Sequence, residues 1–276
     1  MAASSLIPEA KPMDDLPDLE IAIDGAVAEV RLNRPGARNA FSRSLMRQLT
    51  QAAERIRAST DIQAVILTGA ETYFSAGADL ADPDRAQGVA TRLQRRQVAK
   101  LGPDLCQAWE DLEQVTIAAV EGYCIGGAAA LTLACDFRIA GEGAYFRLPE
   151  IALGMNMSWR TLPRLATLVG PSRAKRLAIF CEPCAADEAL VWGMVDAVTP
   201  TGGALAAART WAAKVAALPP IPVRMTKEAI NAAAGALHRA ASLMDRDQWM
   251  LTSETSDFTE GARAFFEKRD PKFRGD

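Results

Sequence analysis

The sequence predicts an α/β fold that ends in a purely helical C-terminal unit. Two observations carry the α/β assignment: a segment with helical spacing is followed by a short uninterrupted apolar run, and that order occurs twice. A third sets the end of the chain apart, because only helix-forming patterns remain after Val198. With 276 residues, 49 % of them apolar types, there is material for one substantial core.

Residues 1 to 17 carry three prolines and no periodicity, and read as a flexible leader. Ile21, Ile23, Val27, Val30 and Leu32 flank Asp24-Gly25, a strong hairpin signal, so two antiparallel strands are expected there. From Ser42 to Ala58, Leu45, Met46, Leu49, Ala52, Ala53 and Ile56 recur at helical spacing, and Ala64–Thr68 follows as a buried strand. The order returns with a helical pattern around Leu105 to Leu112, the apolar run Thr116–Val120, a glycine turn, and the helix-prone Ala128–Ala134. This core is expected to span 18–200. The region 201–276 opens with helices at Ala204–Ala217 and Val223–Leu243, separated by a proline-rich break.

Composition narrows the function. Thirty-one basic against thirty-four acidic residues give a formal charge of -3, leaving no global positive field for nucleic acid or anionic lipid. No apolar stretch approaches the ~20 residues of a membrane span, and the N-terminus lacks a signal-peptide pattern, so a cytoplasmic location is expected. Five cysteines without framework spacing fit a reducing compartment. Cys181-Glu182-Pro183-Cys184 lacks a second ligand pair and the single histidine, His238, lies far along the chain, so no metal site is expected. One histidine on an Ala-rich helix also gives a Ser-His-Asp or Cys-His mechanism little support.

Two segments share an arrangement of strand, small-residue turn, then polar or helical opening. They are Phe74-Ser75-Ala76-Gly77-Ala78-Asp79-Leu80 and Glu121-Gly122-Tyr123-Cys124-Ile125-Gly126-Gly127-Ala128. Small residues leave main-chain N–H groups uncovered, and two such turns brought together can hold one oxyanion. Glu150, in Leu148-Pro149-Glu150-Ile151-Ala152-Leu153-Gly154, supplies an acid/base downstream. An oxyanion site and one such group are what enolate chemistry requires.

In these segments the sequence resembles the crotonase, or enoyl-CoA hydratase/isomerase, family. The matching stretches run from Asn33-Arg34-Pro35-x-x-x-Asn39-Ala40 through the two glycine turns to Pro149-Glu150-Ile151-x-Leu153-Gly154. They continue at Gly193-Met194-Val195-Asp196 and Phe265-Phe266-Glu267-Lys268-Arg269. The resemblance implies a core spiral of ββα turns with a C-terminal helical trimerisation region, assembled as a homotrimer or homohexamer. It implies an acyl-CoA thioester as substrate, with coenzyme A bound rather than consumed and no separate cofactor. By position, the N–H groups of Ala78 and Gly127 would form the oxyanion hole and Glu150 would be the acid/base. Arg38 and the segment Ala76, Gly77, Asp79 and Leu80 would lie along the coenzyme, with Asp79 organising its loop. Phe265 and Lys268 match C-terminal residues that reach the coenzyme, often from a neighbouring subunit.

Hydratases of the family pair Glu150 with a second glutamate, which would fall at position 130; this chain has Ala130. One shuttling carboxylate suffices to move a double bond from the 3,4 to the 2,3 position, so Δ3,Δ2-enoyl-CoA isomerisation is the expected reaction. Single-glutamate hydratases and hydratase-lyases remain alternatives, as does an acyl-CoA-binding protein without activity. Dienoyl-CoA isomerases and aromatic dehalogenases carry an acid where this chain has Ser158. Met155, Met157 and Trp159 are bulky residues where the acyl pocket is expected; packing and pocket lining are both open for them.

Overall fold

The protein was analysed as a computed structural model that describes residues 15–82 and 91–276. Residues 1–14 of the expected leader lie outside the described residues. Strands β1 (Leu19–Asp24) and β2 (Val27–Leu32) pair antiparallel with Asp24 opposite Val27. The two-residue turn is therefore Gly25-Ala26, one position later than the expected Asp24-Gly25, because Asp24 still pairs in the ladder.

Helix α1 (Arg43–Arg57) starts where Ser42 Oγ accepts the Leu45 N–H at 3.1 Å, and it buries the stripe Leu45, Leu49, Ala52, Ala53 and Ile56. Strand β3 (Ala64–Thr68) follows with every residue buried, as a central parallel strand must be. Next come α2 (Arg92–Val98), α3 (Leu101–Glu110), β4 (Val115–Val120), β5 (Tyr123–Ile125), α4 (Gly127–Leu133), β6 (Phe137–Gly141) and β7 (Tyr145–Arg147). Helices α5 (Thr161–Val169) and α6 (Pro171–Phe180) lead to β8 (Cys184–Ala185), α7 (Ala186–Trp192) and β9 (Ala197–Thr199). The C-terminal region is α8 (Ala204–Ala216), α9 (Pro220–Ala234), α10 (His238–Ala241), α11 (Asp245–Thr252) and α12 (Ser256–Glu267).

Six strands form one sheet in the order β1-β2-β3-β4-β6-β9, parallel except for the first pair. Three short strands form a second sheet, β5-β7-β8. One face of the large sheet packs Val65, Leu67, Ala118 and Val120 into the main core, which α1 and α3 close with Leu49, Leu105 and Trp109. The other face, through Ile66, Ile117 and Ile139, is covered by Ala204, Ala208 and Ala212 of α8. The single helix expected at Val223–Leu243 is two helices. Proline is tolerated at the first positions of α9, where the N–H has no intrahelical partner, and Gly235, a poor helix former, ends it.

The loop before α1 is tied to the first glycine turn by Asn39. Its Oδ1 accepts the Arg34 N–H at 2.9 Å, its Nδ2 donates to the Phe74 carbonyl at 3.1 Å, and its own carbonyl accepts from Ser75 Oγ at 2.7 Å. Asn39 is 1 % exposed and left-handed at φ 54°, a conformation asparagine tolerates better than most residues. Asn39→Gly keeps that backbone and removes the amide. Urea unfolding is expected to show a loss of about 2–4 kcal/mol, because the half-buried Arg34 N–H and the buried Phe74 carbonyl lose their side-chain partner.

Candidate active site

The two glycine turns meet along their backbones. Phe74 and Ser75 both donate to the Tyr123 carbonyl at 3.1 Å, Ile125 donates to the Ser75 carbonyl at 3.2 Å, and Ser75 pairs with Cys124 as a parallel bridge. Gly77, at φ 86°, stands so close that a Cβ on it would lie 2.5 Å from the Ile125 carbonyl oxygen. Only glycine fits there.

The first turn is braced on its outer side. Phe41 donates to the Gly77 carbonyl at 2.7 Å and accepts from the Asp79 N–H at 3.1 Å, so Ala78 lies between two ladder bonds. Asp79 accepts from Arg34 Nη1 at 3.1 Å and from the Ala81 N–H at 3.0 Å. The Arg38 carbonyl accepts from Ala76 N–H at 3.1 Å while the Arg38 side chain is exposed. Arg38, Ala76, Gly77, Ala78 and Asp79 thus stand along one braced stretch of backbone, which Leu80 continues.

Among the described residues, neither the Ala78 N–H nor the Gly127 N–H donates to a partner within the chain. Gly127 opens α4, one residue after Gly126, whose own N–H is taken by the Arg147 carbonyl at 2.8 Å. Two free donors on adjoining turns can bind one oxygen that gains negative charge.

Glu150 reaches the same place. A Cβ on Gly126 would lie 2.6 Å from Glu150 Oε1, so the carboxylate rests against the second turn. Parts of the residue keep some exposure, but Oε2 is sealed from solvent and has no hydrogen-bond partner among the described residues. Desolvation pushes this carboxyl up to about 7, against a smaller lowering by its own backbone N–H. A carboxyl poised near neutrality can both accept and return a proton. Ala130, on α4, is fully buried and brings no second carboxylate.

Phe265 and Lys268 stand exposed at the end of α12. Phe265 is 60 % exposed with its ring edge-on to Phe266, and Lys268 is the exposed left-handed cap of α12. Helix α12 does pack on residues 151–153, just after Glu150. His238 hydrogen-bonds Thr167 Oγ1 at 2.8 Å, in the wall of two cavities of about 670 and 930 Å³ beside α9. Neither cavity is lined by Glu150, Ala78 or Gly127, and their main charges are paired, Glu110 with Arg164 and Lys227 with Asp136. All five cysteines are buried and unpaired, and burial pushes the thiols of Cys106, Cys135 and Cys184 up to about 12. Such thiols are poor nucleophiles.

The bracing by the Arg34 and Asn39 side chains and the Phe41 backbone, and the seat that Gly126 gives Glu150, were not foreseen from the sequence. Arg34 and Asn39 stand in the Asn33–Ala40 motif, but their partners are 35 to 45 positions away. The short spacings that sequence patterns exploit give no signal for them.

The chain is similar to known proteins over most of its length. A family profile described as enoyl-CoA hydratase/isomerase matches residues 22–276. The 2,3-dehydroadipyl-CoA hydratase of Escherichia coli K12 is 33 % identical over 258 residues, covering 94 % of this chain and 99 % of that protein. Among solved structures, an enoyl-CoA hydratase from Mycobacterium avium subsp. paratuberculosis superposes with a TM-score of 0.84 at 28 % identity, over 93 % of this chain and 98 % of that one. DspI of Pseudomonas aeruginosa is similar at 35 % identity and a TM-score of 0.75, over 99 % of this chain and all of that one.

The Glu150 environment predicts a pH-dependent stability. Its folded-state pKa, about 7, exceeds the ordinary 4.5, so the native state holds the proton more tightly between those values. The cost of ionising it is absent below about pH 4.5 and complete above about pH 7, where it amounts to at most about 3 kcal/mol. Glu150→Gln is therefore expected to raise Tm by several degrees at about pH 8 and to leave it nearly unchanged near pH 4.5, as followed by calorimetry.

Proposed function

The chain belongs to the enoyl-CoA hydratase/isomerase, or crotonase, family, and from that premise we propose that it isomerises Δ3-enoyl-CoA to Δ2-enoyl-CoA with Glu150 as the only acid/base. The observation that carries the reading is the single desolvated carboxylate of Glu150 beside Gly126, with Ala130 where a second carboxylate would stand. In this mechanism the thioester carbonyl oxygen accepts the N–H groups of Ala78 and Gly127. Glu150 takes the proton from C2, and the charge passes to the thioester oxygen as a dienolate. The same carboxyl returns the proton at C4, leaving the double bond between C2 and C3. The donors bind the oxygen more strongly as it gains charge, which is the differential binding that accelerates the step.

In the same proposal Arg38, Ala76, Gly77, Asp79 and Leu80 lie along coenzyme A, with Asp79 fixing its loop rather than reacting. Phe265 and Lys268 reach the coenzyme of a neighbouring subunit. Their exposure at the end of α12, open to a neighbouring chain, supports that arrangement. A second reading is favoured by the relatives, several of which are named hydratases: addition of water across a 2,3 double bond with Glu150 alone.

Two measurements test the function. Product analysis with 3-enoyl and 2-enoyl thioesters is expected to show double-bond migration without stable hydration; a 3-hydroxyacyl product from the 2-enoyl thioester establishes the second reading instead. Glu150→Gln is expected to bind thioesters with little change by calorimetry while kcat falls by on the order of 10²- to 10⁴-fold. Near-native turnover by this variant would overturn the single-base mechanism.

We further propose a homotrimer or a pair of trimers assembled through the C-terminal region. Ile221, Met225, Ile230, Leu237, Leu243 and Leu251 are each at least 60 % exposed in the single chain, and so many large apolar side chains exposed in one region mark an association surface. Sedimentation at micromolar concentration is expected to show no monomer, and Ile221→Glu with Ile230→Glu to produce one.

A further inference from the structure

Beside the two free N–H donors the space is occupied by one indole. Trp159 stacks on Phe41 with ring centroids 6.0 Å apart, and Phe41 is the residue paired with Ala78. On its other side, a Cβ added to Gly127 would lie 2.6 Å from Trp159 Cη2, and one added to Gly102 only 2.0 Å from Trp159 Cε2. Glycines on two different helices, α3 and α4, thus leave room for the same ring. The indole spans the gap between those helices, its outer edge against one donor residue and its neighbour Phe41 carrying the other.

The ring is held rigidly. Trp159 and Arg160 are both left-handed, at φ 65° and 57°, which is costly for side chains of this size. Asp245 of α11 fixes that geometry by accepting from Ser158 Oγ at 2.8 Å and from the Arg160 N–H at 3.2 Å. Arg164 donates to the carbonyls of Trp159 at 3.0 Å and Arg160 at 3.2 Å, and is itself gripped by both carboxylate oxygens of Glu110 on α3. These bonds fix the backbone on both sides of Trp159, and contact with Phe41, Gly102 and Gly127 seats the ring.

We propose that Trp159 is the specificity wall of the acyl pocket, closing the passage between α3 and α4 so that only short acyl groups fit. The inference rests on the acyl-CoA reading above and adds the chain length that the reading leaves open. A carbonyl oxygen seated on Ala78 and Gly127 places the acyl carbons next to the indole, and a long chain would have to pass through the volume the ring fills. Trimming the ring opens that passage.

Calorimetry with butyryl-, hexanoyl- and decanoyl-CoA separates the outcomes without depending on which reaction is catalysed. The wild type is expected to bind butyryl-CoA most tightly. Trp159→Ala is expected to raise decanoyl relative to butyryl affinity by on the order of 10²-fold, and Trp159→Phe, which retains a smaller ring and guards against misfolding of the first variant, by less. A chain-length ratio that neither variant moves, or a wild type that prefers decanoyl-CoA, would overturn this inference alone. Failure of every thioester to bind the wild type overturns the acyl-CoA reading and this inference with it.

Discussion

The structure turns on the close approach of two backbone turns. Residues 74–77 and 123–125 pair as if they were strands, and the missing Cβ of Gly77 lets the first turn settle against the Ile125 carbonyl. Every other part of the site takes its position from that contact. Ala78 follows the paired residues directly and Gly127 follows one residue later, so their N–H groups are fixed relative to one another by main-chain geometry instead of by side-chain rotamers. Glu150 then enters over Gly126, another position where only hydrogen leaves room.

Helix α4 has only seven residues, so an extended dipole contributes little; what it offers is an N–H with no partner among the described residues. The sealed Glu150 carboxylate is a similar local sacrifice. A buried acid with a free oxygen weakens the fold when ionised, and proteins accumulate such unfavourable groups where they react. Around it the scaffold is over-determined: Asn39, Ser75 and Arg34 on one side, Arg164 and Asp245 on the other. The bracing also reaches into the C-terminal region, because α11 holds the Trp159 loop and α12 packs on the residues after Glu150. That region therefore shapes the site as well as offering an apolar surface.

Much of the fold was legible from the chain. The hairpin, α1, β3, β4 and α8 appeared within a few residues of their places because each carries a local signal: a turn dipeptide, a helical period or an unbroken apolar run. Strands β5, β7 and β8, of three, three and two residues, carry no readable period, yet they build the second sheet that holds the second glycine turn. The break in the helix after Ala234 was also lost within an alanine-rich stretch, where helical propensity is uniformly high.

The sequence by itself determined the alternation of helix and strand, the two small-residue turns, the presence of Glu150 and the absence of a carboxylate at Ala130. These are properties of residue type and local order, which a chain carries before it folds. Tertiary structure alone decided that the turns touch, that Glu150 loses its water beside Gly126, and that Trp159 lies between Gly102 and Gly127. Each of those facts joins residues about 25 to 60 positions apart, and desolvation and close packing exist only once such distant segments share a volume.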